Sequence, residues 1–408
     1  MMKVFIIGGG ASGLVAAITA KRSGADVTIL ERNDKLGRKL LLTGNGRCNY
    51  YNSYQDLSCY HSSSSELIPN FINRNNLDMV LSFFDKLGLY PTIKDGYYYP
   101  VTNQANSVLA VLLNEIEHLN INVVYNCYVT NIKKNKDTFV IYTEDNKYIA
   151  DKVIIATGSK SYSKTGSDGF GYSVAKDFKH TIIPVLPSLT FLKGNENYYK
   201  DWNGIRSNAS VSLFENDQKI KEEVGEIQLT SEGISGICVY NLSGIIAKAL
   251  NNNSNVHVRI NFVPFYEACS IKDFVDLLDN RNKQLKGRNV SQLFDGLLNY
   301  KLINLLLKLC KIDNKIHWED LSNEQKCNLA DRIINFKFIP TGVGDYDKAQ
   351  VCSGGVALSE INLNTMESLL MPGLFFTGEV IDLDGDCGGY NLTIAWISGL
   401  MAGGHVND

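Results

Sequence analysis

The length of 408 residues exceeds the size at which a single hydrophobic core normally stops growing, so the chain is predicted to form two or three domains. Its 44% hydrophobic and 20% charged residues are ordinary for a folded protein and exclude general disorder. A formal charge of -3 provides no broad basic field for phosphates, and no apolar run reaches the roughly 18 residues that a membrane span needs. These bounds predict a cytoplasmic protein with neither a nucleic-acid nor a membrane partner.

The chain begins with a pattern of strand, turn, helix and strand. The segment "KVFIIGGGASGLVAAITAKRSGADVTILERN" predicts an apolar strand, a glycine-rich turn, an Ala-rich helix and a second strand that ends at Glu31. Side chains at Gly8 or Gly10 would block the approach of the backbone to a pyrophosphate, and Gly13 lets the helix pack closely on the strand. Glu31 is expected to accept hydrogen bonds from ribose hydroxyl groups, which favours FAD or NAD over NADP. The alternative is a structural turn that binds no ligand.

Two further segments distinguish between FAD and NAD. The loop "RNDKLGRKLLLTGNGRCNYYN" after the second strand is long and polar, as expected for a long ligand rather than for a compact nicotinamide dehydrogenase domain. The tail "MPGLFFTGEVIDLDGDCGGYNLTIAWISGLMAGG" predicts a strand, a turn rich in Gly and Asp, and a helix that begins near Asn391. The free amide groups and the dipole at that helix start suit the electron-rich pyrimidine edge of a reduced flavin.

The predicted secondary structure changes twice in the middle of the chain. The segment "DKVIIATG" predicts a strand whose end, at Ala156, passes close to the adenosine or the pyrophosphate. Residues 191–264 alternate in the manner of strands, and residues 271–334 have helical spacing. The segment "FKFIPTGV" then predicts a returning strand before "AQVCSGGV" re-enters the cofactor domain.

Five motifs resemble, in order, those of a known family: "GRKLLLTGNGRCN", "ATGSKSYSKTGSDGFGY", "EGISGI", "AQVCSGGV" and "NTMESLLMPGLFFTGEVIDLDGDCGGYNLTIAW". Together they resemble the bacterial NAD(FAD)-utilizing dehydrogenase-like flavoproteins, a family similar to the aminoacetone oxidase and bile-acid enone reductase flavoproteins. The resemblance implies an α/β fold with three domains. These are a Rossmann-like FAD-binding domain at 1–190 and 350–408, an inserted β-rich substrate domain at 191–265 and 335–349, and a small inserted helical domain at 266–334. Substrate is expected to enter between the first two.

The resemblance also implies which residues contact FAD. It makes Cys48 a neighbour of the cofactor; the nearest cysteine in sequence, Cys59, is not spaced as in a redox dithiol. A catalytic disulfide and covalent attachment of the flavin through Cys48 are the alternatives. The predicted cofactor-binding residues are Gly8, Gly10, Ala11, Ser12, Gly13, Glu31, Arg32, Lys39, Asn45, Gly46, Arg47, Cys48, Asn49, Val129, Ala156, Thr157, Gly158, Gly378, Glu379, Gly388, Gly389, Tyr390, Asn391 and Leu392.

The acidic residues of the tail allow two interpretations. Glu379 is expected to contact the ribityl chain. Asp382, Asp384 and Asp386 could bind calcium, but the twelve-residue ligand pattern is incomplete, which favours a turn held by Asx hydrogen bonds. The nine cysteines and six histidines show neither a CxxC pair nor zinc spacing, so no metal site is predicted.

No catalytic residue can be assigned from the sequence. Many relatives carry a histidine where this chain has Ser231, with only Glu232 nearby, so an acid–base role cannot be transferred to this position. Tyr162 and Tyr390 are predicted to lie near the flavin ring. One of the three tyrosines at 97–99 is a candidate for lining the substrate pocket.

The predicted function is that of a FAD-dependent oxidoreductase that reduces a small organic substrate. No second GxGxxG occurs between residues 191 and 350, so NAD(P)H is expected to bind only transiently as the electron donor. The enzyme alternative is an amine-type oxidase that passes electrons to oxygen. The remaining alternatives are an RNA-associated flavoprotein and a noncatalytic flavin-dependent sensor. The substrate, the oligomeric state and the proton-transfer residue are left open.

Overall fold

The chain folds into two compact units. The computed structural model describes residues 1–265 and 270–408. The first unit contains Met1–Leu186 and Tyr346–Asp408, and the second contains Pro187–Asp345. The three-domain division stays a prediction, and residues 266–269 of its helical domain lie outside the described residues.

The first unit begins with a strand, a helix and a second strand, as the sequence predicts. Its elements up to the second unit are β1 (Lys3–Ile7), α1 (Ala11–Arg22), β2 (Asp26–Leu30), β3 (Tyr51–Asn52), β4 (Tyr60–His61), α2 (Ile68–Phe71), α3 (Arg74–Lys86), β5 (Pro91–Lys94), β6 (Tyr97–Pro100), α4 (Ala105–His118), β7 (Asn122–Val124), β8 (Val129–Asn135), β9 (Thr138–Thr143), β10 (Lys147–Ala150), β11 (Lys152–Ile155), α5 (Phe170–Asp177) and β12 (Ile182–Ser188).

The second unit combines an antiparallel sheet with helices around one hydrophobic core. Its sheet has the order β18-β17-β14-β15-β16-β13-β19. The alternating pattern of residues 191–264 predicted these strands but missed α7, a helix of 15 residues that packs on β15. The elements are β13 (Leu192–Lys193), α6 (Tyr199–Trp202), β14 (Arg206–Glu215), β15 (Gln218–Thr230), β16 (Gly233–Ser235), α7 (Ile237–Asn251), β17 (Val256–Asn261), α8 (Ile271–Gln284), α9 (Val290–Leu293), α10 (Tyr300–Leu309), α11 (Asn323–Ile334), β18 (Phe336–Phe338) and β19 (Gly342–Val343).

The chain then returns to complete the first unit with β20 (Val351–Val356), β21 (Leu374–Phe376), β22 (Asp384–Gly385) and α12 (Tyr390–Gly404). The main sheet has the order β21-β11-β1-β2-β7, and every pair is parallel. Parallel strands place their carboxyl ends at one edge, where ligands of open α/β sheets bind. The predicted α/β class, with a Rossmann-like parallel sheet and a separate β-rich part, is confirmed.

Helices α1 and α12 pack together through glycines. A methyl group built on Gly399 would lie 2.6 Å from the Ser12 carbonyl oxygen, and one on Gly403 would lie 2.5 Å from that of Ala16. The contacts advance by four residues along both helices, so the helices run in the same direction. Backbone-to-backbone contact at this distance requires glycine, because a side chain would separate the two helices.

No helix in the described part of the chain is long and apolar enough to cross a membrane. The cytoplasmic location stays a prediction.

Candidate cofactor site

The glycine-rich turn joins β1 to α1 at the carboxyl edge of the parallel sheet. Gly10 faces open space, since a methyl group built on it would meet no atom within 4 Å. A methyl group on Gly13 would lie 2.1 Å from the Gly8 carbonyl oxygen, which confirms the packing reason for Gly13. Gly8 has φ +103°, and a methyl group there would lie 2.6 Å from the Ala156 carbonyl oxygen. The structure thus gives a different reason for Gly8: contact with the end of β11.

The first turn of α1 is open to an anion. Gly10 is its N-cap, and no side chain caps this turn. The amide groups of Ala11, Ser12 and Gly13 have no partner inside the helix, and the helix dipole places partial positive charge at them. This end of the site has the backbone groups that bind phosphate in dinucleotide folds.

Glu31 is buried at the end of β2, with 6% of its surface exposed. Its Oε2 accepts a hydrogen bond from the Gly9 amide (2.8 Å), and its Oε1 accepts from the amide and side chain of Asn33 (2.9 and 2.7 Å). A carboxylate offers about four acceptor positions. Glu31 therefore holds the glycine turn in place and keeps acceptor capacity for the predicted ribose contact.

The residues after Glu31 are tied to the loop that follows β11. Arg32 donates to Asp168 (2.6 Å) and to the Gly166 carbonyl (3.1 Å), and its guanidinium lies over the ring of Tyr128 (4.8 Å). Val129, a predicted cofactor contact, is buried at the start of β8. Its neighbour by two residues, Cys127, donates its amide proton to the Glu31 carbonyl (2.9 Å). Val129 thus lies near the end of β2.

A lysine–glutamate pair links the long polar loop to the tail. Lys39 Nζ donates to Glu379 Oε2 and to Ser161 Oγ, each at 2.6 Å, and Ser159 Oγ also donates to Glu379 Oε2 (2.8 Å). About one fifth of each charged side chain is exposed. Gly378, before Glu379, has φ +72° and donates its amide proton to Ser398 of α12 (2.9 Å). The predicted residues Lys39 and Glu379 are therefore brought together.

The motif "TGNGRCN" forms an irregular turn with left-handed backbone at several positions. Asn45, Gly46 and Arg47 are exposed, and the Arg47 guanidinium lies 5.3 Å from the ring centre of Tyr99. Cys48 is fully buried, and burial raises the pKa of its thiol to about 12. A thiol held in its protonated form is a poor nucleophile and metal ligand. The geometry favours the predicted role of Cys48 as a structural neighbour of the site.

Two buried polar atoms near this site lack a hydrogen-bond partner among the described residues: Thr157 Oγ1 and Asn49 Oδ1. Thr157 follows β11, and its Cα would lie 3.2 Å from a methyl group on Gly8 in the glycine turn, but its Oγ1 faces α5, where a methyl group built on Gly171 would lie 2.4 Å from it. Asn49 Oδ1 lies 3.2 Å from the corresponding position on Gly389, the N-cap of α12. Buried polar groups are almost always hydrogen-bonded, so each atom indicates a ligand or a water.

The tail motif forms the start of α12, one residue before the predicted Asn391. Gly388 and Gly389 have φ +140° and +95°, and no side chain caps the helix. Asn391 exchanges hydrogen bonds with the backbone of Gly385 (3.0 and 2.7 Å), and Leu392 is half-buried in the same turn. Tyr390 is 5% exposed and packs edge-on against Tyr60. These contacts hold the start of α12 in place, and no side chain caps its first amide groups.

The two uncapped helix starts point the same way and are staggered. The contact between Gly399 and Ser12 gives the stagger. Gly399 lies ten residues after the N-cap of α12, Gly389, whereas Ser12 lies only two residues after the N-cap of α1, Gly10. The difference of eight residues corresponds to about 12 Å at the α-helical rise of 1.5 Å per residue. Two clusters of free amide groups at this spacing suit an extended ligand that has one electron-rich group near each helix start.

The three tail aspartates hold neighbouring segments. Asp382 accepts a hydrogen bond from the Ser63 amide (2.9 Å), Asp384 accepts one from Ser353 (2.9 Å), and Asp386 pairs with His61 (2.8 Å). These partners lie in other segments, so the aspartates join parts of the chain that are distant in sequence; the interpretation as an Asx turn stays a prediction. No group of potential metal ligands occurs in the described ranges.

Three residues that contact the predicted site were not identified from the sequence, and Ser231 lies in the other unit of the chain. Ser159, Ser161 and Asn52 contact predicted site residues; their only sequence signal was their place inside or beside the motifs. Gly158, with φ +71°, packs against Ser167. Ser231 belongs to the second unit, where its amide donates to Asn203 (3.1 Å).

Comparison with known proteins identifies the family. A model of the HI0933-like protein Rossmann domain matches residues 2–405. The chain belongs to this family. It is 38% identical over 406 residues to the 3-dehydro-bile acid delta(4,6)-reductase of Clostridium scindens, covering 99% of this chain and 98% of that one. The predictions of a dehydrogenase-like flavoprotein family and of an oxidoreductase are confirmed.

Two more distant relatives extend the comparison. The ribosomal RNA dihydrouridine synthase of Escherichia coli is 26% identical over 395 residues, covering 96% of this chain and 95% of that one. The solved structure of a 3-ketosteroid-delta4-(5alpha)-dehydrogenase from Rhodococcus jostii matches with a TM-score of 0.50 at 15% identity, covering 100% of this chain and 97% of that chain. At this identity the structural match shows the fold alone.

Proposed function

We propose that this protein binds FAD along the carboxyl edge of the parallel sheet in its first unit. The observation that carries the proposal is the pair of staggered, uncapped helix starts, with the unpaired buried Asn49 Oδ1 beside the second of them. The α1 start would hold the pyrophosphate end. The α12 start and Asn49 would face the flavin.

Bound FAD would supply two-electron chemistry between a donor and a substrate. The protein's own part is to bind and orient the cofactor. Glu31 fixes the glycine turn and offers an acceptor to the ribose, while the Lys39–Glu379 pair joins the polar loop to the tail beside the path between the two helix starts. The buried thiol of Cys48 stays protonated and takes no part in electron transfer.

We infer further that the reaction is the reduction of a carbon–carbon double bond conjugated to a carbonyl, with NAD(P)H as transient donor. Two relatives that match nearly the whole chain have names that denote this bond change, one on a bile-acid enone and one on uracil in RNA. The more similar one acts on a small molecule. A small 4-en-3-one is therefore the first substrate class to test.

The test is anaerobic absorbance spectroscopy of the purified protein with FAD. Bleaching of the flavin band by NADH or NADPH, followed by reoxidation with a 4-en-3-one, is the expected result. Bleaching by a small amine instead, reversed by air with peroxide formation, would support an amine-type oxidase. Glu31→Lys is expected to abolish FAD retention, because a buried cation would replace the acceptor of the Gly9 amide. Retention in this variant would overturn the binding model.

RNA is the second candidate substrate, favoured by the full-length match to the Escherichia coli enzyme. The formal charge of -3 argues against it, because phosphate binding needs clustered cations. Filter binding with ribosomal RNA over a salt series tests it. Tight, salt-dependent binding would direct the search for activity to uridine in RNA.

A further inference from the structure

Tyr97 occupies a distinctive position beside the start of α12. It lies on β6 directly opposite Asn52 of β3. The Asn52 side-chain amide donates to the Gly388 carbonyl (3.0 Å), and a methyl group built on Gly388 would lie 3.1 Å from Tyr97 Cε1. The ring edge of Tyr97 therefore reaches the residue just before the helix N-cap.

Three nearby tyrosines differ from Tyr97 in burial or in their contacts. Tyr390 is 5% exposed and its hydroxyl accepts a hydrogen bond from Asn52 (3.2 Å). Tyr60 is 3% exposed and its hydroxyl donates to Gln55. Tyr98 packs edge-on against Tyr51. Tyr97 is 37% exposed, and its hydroxyl makes no hydrogen bond to any residue within 1–265 or 270–408. Of these four, Tyr97 combines an available phenol with a place at the helix start.

The protonation state of Tyr97 suits a donor. A tyrosine phenol is protonated at neutral pH, and burial and the neighbouring Tyr99 raise the pKa of this one further, so it holds its proton until a stronger base forms next to it. Its partial exposure gives bulk water a route to replace a proton that has been given up. A general acid must be protonated before each turnover and reprotonated after it.

We propose that Tyr97 is the proton donor of the double-bond reduction, an inference that rests on the proposed function. Reduction of a conjugated alkene adds a hydride to the β carbon and a proton to the α carbon. The hydride and its two electrons would come from NAD(P)H, which becomes NAD(P)+, and bound FAD would supply the two-electron chemistry between them. The Tyr97 phenol gives its proton to the α carbon, and solvent reprotonates the phenolate.

The experiment compares the wild type with Tyr97→Phe and with the matched control Tyr98→Phe, which changes the adjacent tyrosine of the same strand. Each protein is loaded with FAD, reduced anaerobically with NADPH, and mixed with 4-androstene-3,17-dione as the enone probe. The rates of bleaching and of reoxidation are recorded separately. Binding of the probe to the oxidised protein is titrated from the change in the flavin spectrum, which requires no turnover.

Tyr97→Phe is expected to slow reoxidation by the enone about 100-fold or more, the range of a lost general acid. FAD retention, bleaching by NADPH and probe binding should stay within a few-fold of wild type, as should every step in Tyr98→Phe. The wild-type reoxidation should be slower in D2O, because the exchangeable phenol proton is transferred in this step.

Three kinds of result would overturn the proposal. Reoxidation of Tyr97→Phe at the wild-type rate would remove Tyr97 as the donor and leave the reductase function intact. Loss of FAD or of probe binding in this variant would give Tyr97 a structural role instead. Failure of the enone to reoxidise reduced wild-type protein would reject the proposed substrate class, and the role of Tyr97 with it.

Discussion

Gly8 and Gly10 lie in the same turn, but each is required for its own reason. Gly10→Val should weaken FAD binding strongly, because the new side chain fills the open space in front of the α1 amides. The apo protein should lose less than about 1 kcal/mol, since valine replaces glycine only at an N-cap. Gly8→Ala should instead lower the stability of the apo protein by about 1–3 kcal/mol, because φ +103° and the Ala156 carbonyl both oppose a side chain.

Urea unfolding of both apo variants, with FAD titration of the folded proteins, separates these effects. Equal destabilisation of the two variants would contradict the assignment of Gly10 to ligand contact.

Cys48 provides a second test at this scale. Its thiol is fully buried, with a pKa near 12, so iodoacetamide at pH 8 should leave it unmodified in the native protein. Cys327 is exposed and serves as the internal positive control. Peptide mass spectrometry after brief labelling measures both. Rapid alkylation of Cys48 would revive the alternative of a reactive thiol at the cofactor.

At the scale of elements, the contact between α1 and α12 sets the spacing of the two helix starts. Gly403→Ala should destabilise the protein by about 1–3 kcal/mol, because its methyl group would lie 2.5 Å from the Ala16 carbonyl oxygen and force the helices apart. Gly404→Ala is the matched control, since its methyl group would have its nearest contact at 4.0 Å. The control should be neutral or stabilising by up to about 1 kcal/mol through helix propensity.

Thermal unfolding of the two variants checks this prediction. FAD affinity should fall in Gly403→Ala as well, because displacement of α12 moves its amides relative to those of α1. Equal stability of the two variants would show that the helices can separate without cost.

At the scale of the whole molecule, every predicted cofactor-binding residue lies in the first unit. The ends of its two segments meet: Tyr346 donates its hydroxyl proton to the Val185 carbonyl (2.8 Å), and its own carbonyl accepts from the Tyr162 amide (3.2 Å). Replacing residues 187–345 by a short Gly-Ser linker should therefore leave a folded unit that binds FAD.

Size-exclusion chromatography and FAD titration of the shortened protein provide the measurement, with the full chain as reference. The second unit has its own hydrophobic core, so its removal should leave the core of the first unit intact. A folded product that cannot hold FAD would show that the cofactor site needs residues outside the first unit.

The sequence by itself determined the features that depend on local pattern. Glycine spacing, strand and helix periodicity and an acidic residue at a strand end defined the βαβ start, and the tail pattern placed the start of α12 within one residue. The same patterns identified the family over nearly the whole chain. Such features are readable because they depend mainly on residues that are close together in the sequence.

Only the tertiary structure decided the features that join distant segments. It gave the contact of Gly8 with Ala156, the pairing of Lys39 with Glu379 across 340 residues, and the partners of the three tail aspartates. It also placed the Tyr97 ring edge beside Gly388, just before the N-cap of α12. Periodicity ranks residues within one element, but which side chain is left exposed, buried or unpaired depends on what the rest of the chain packs against it.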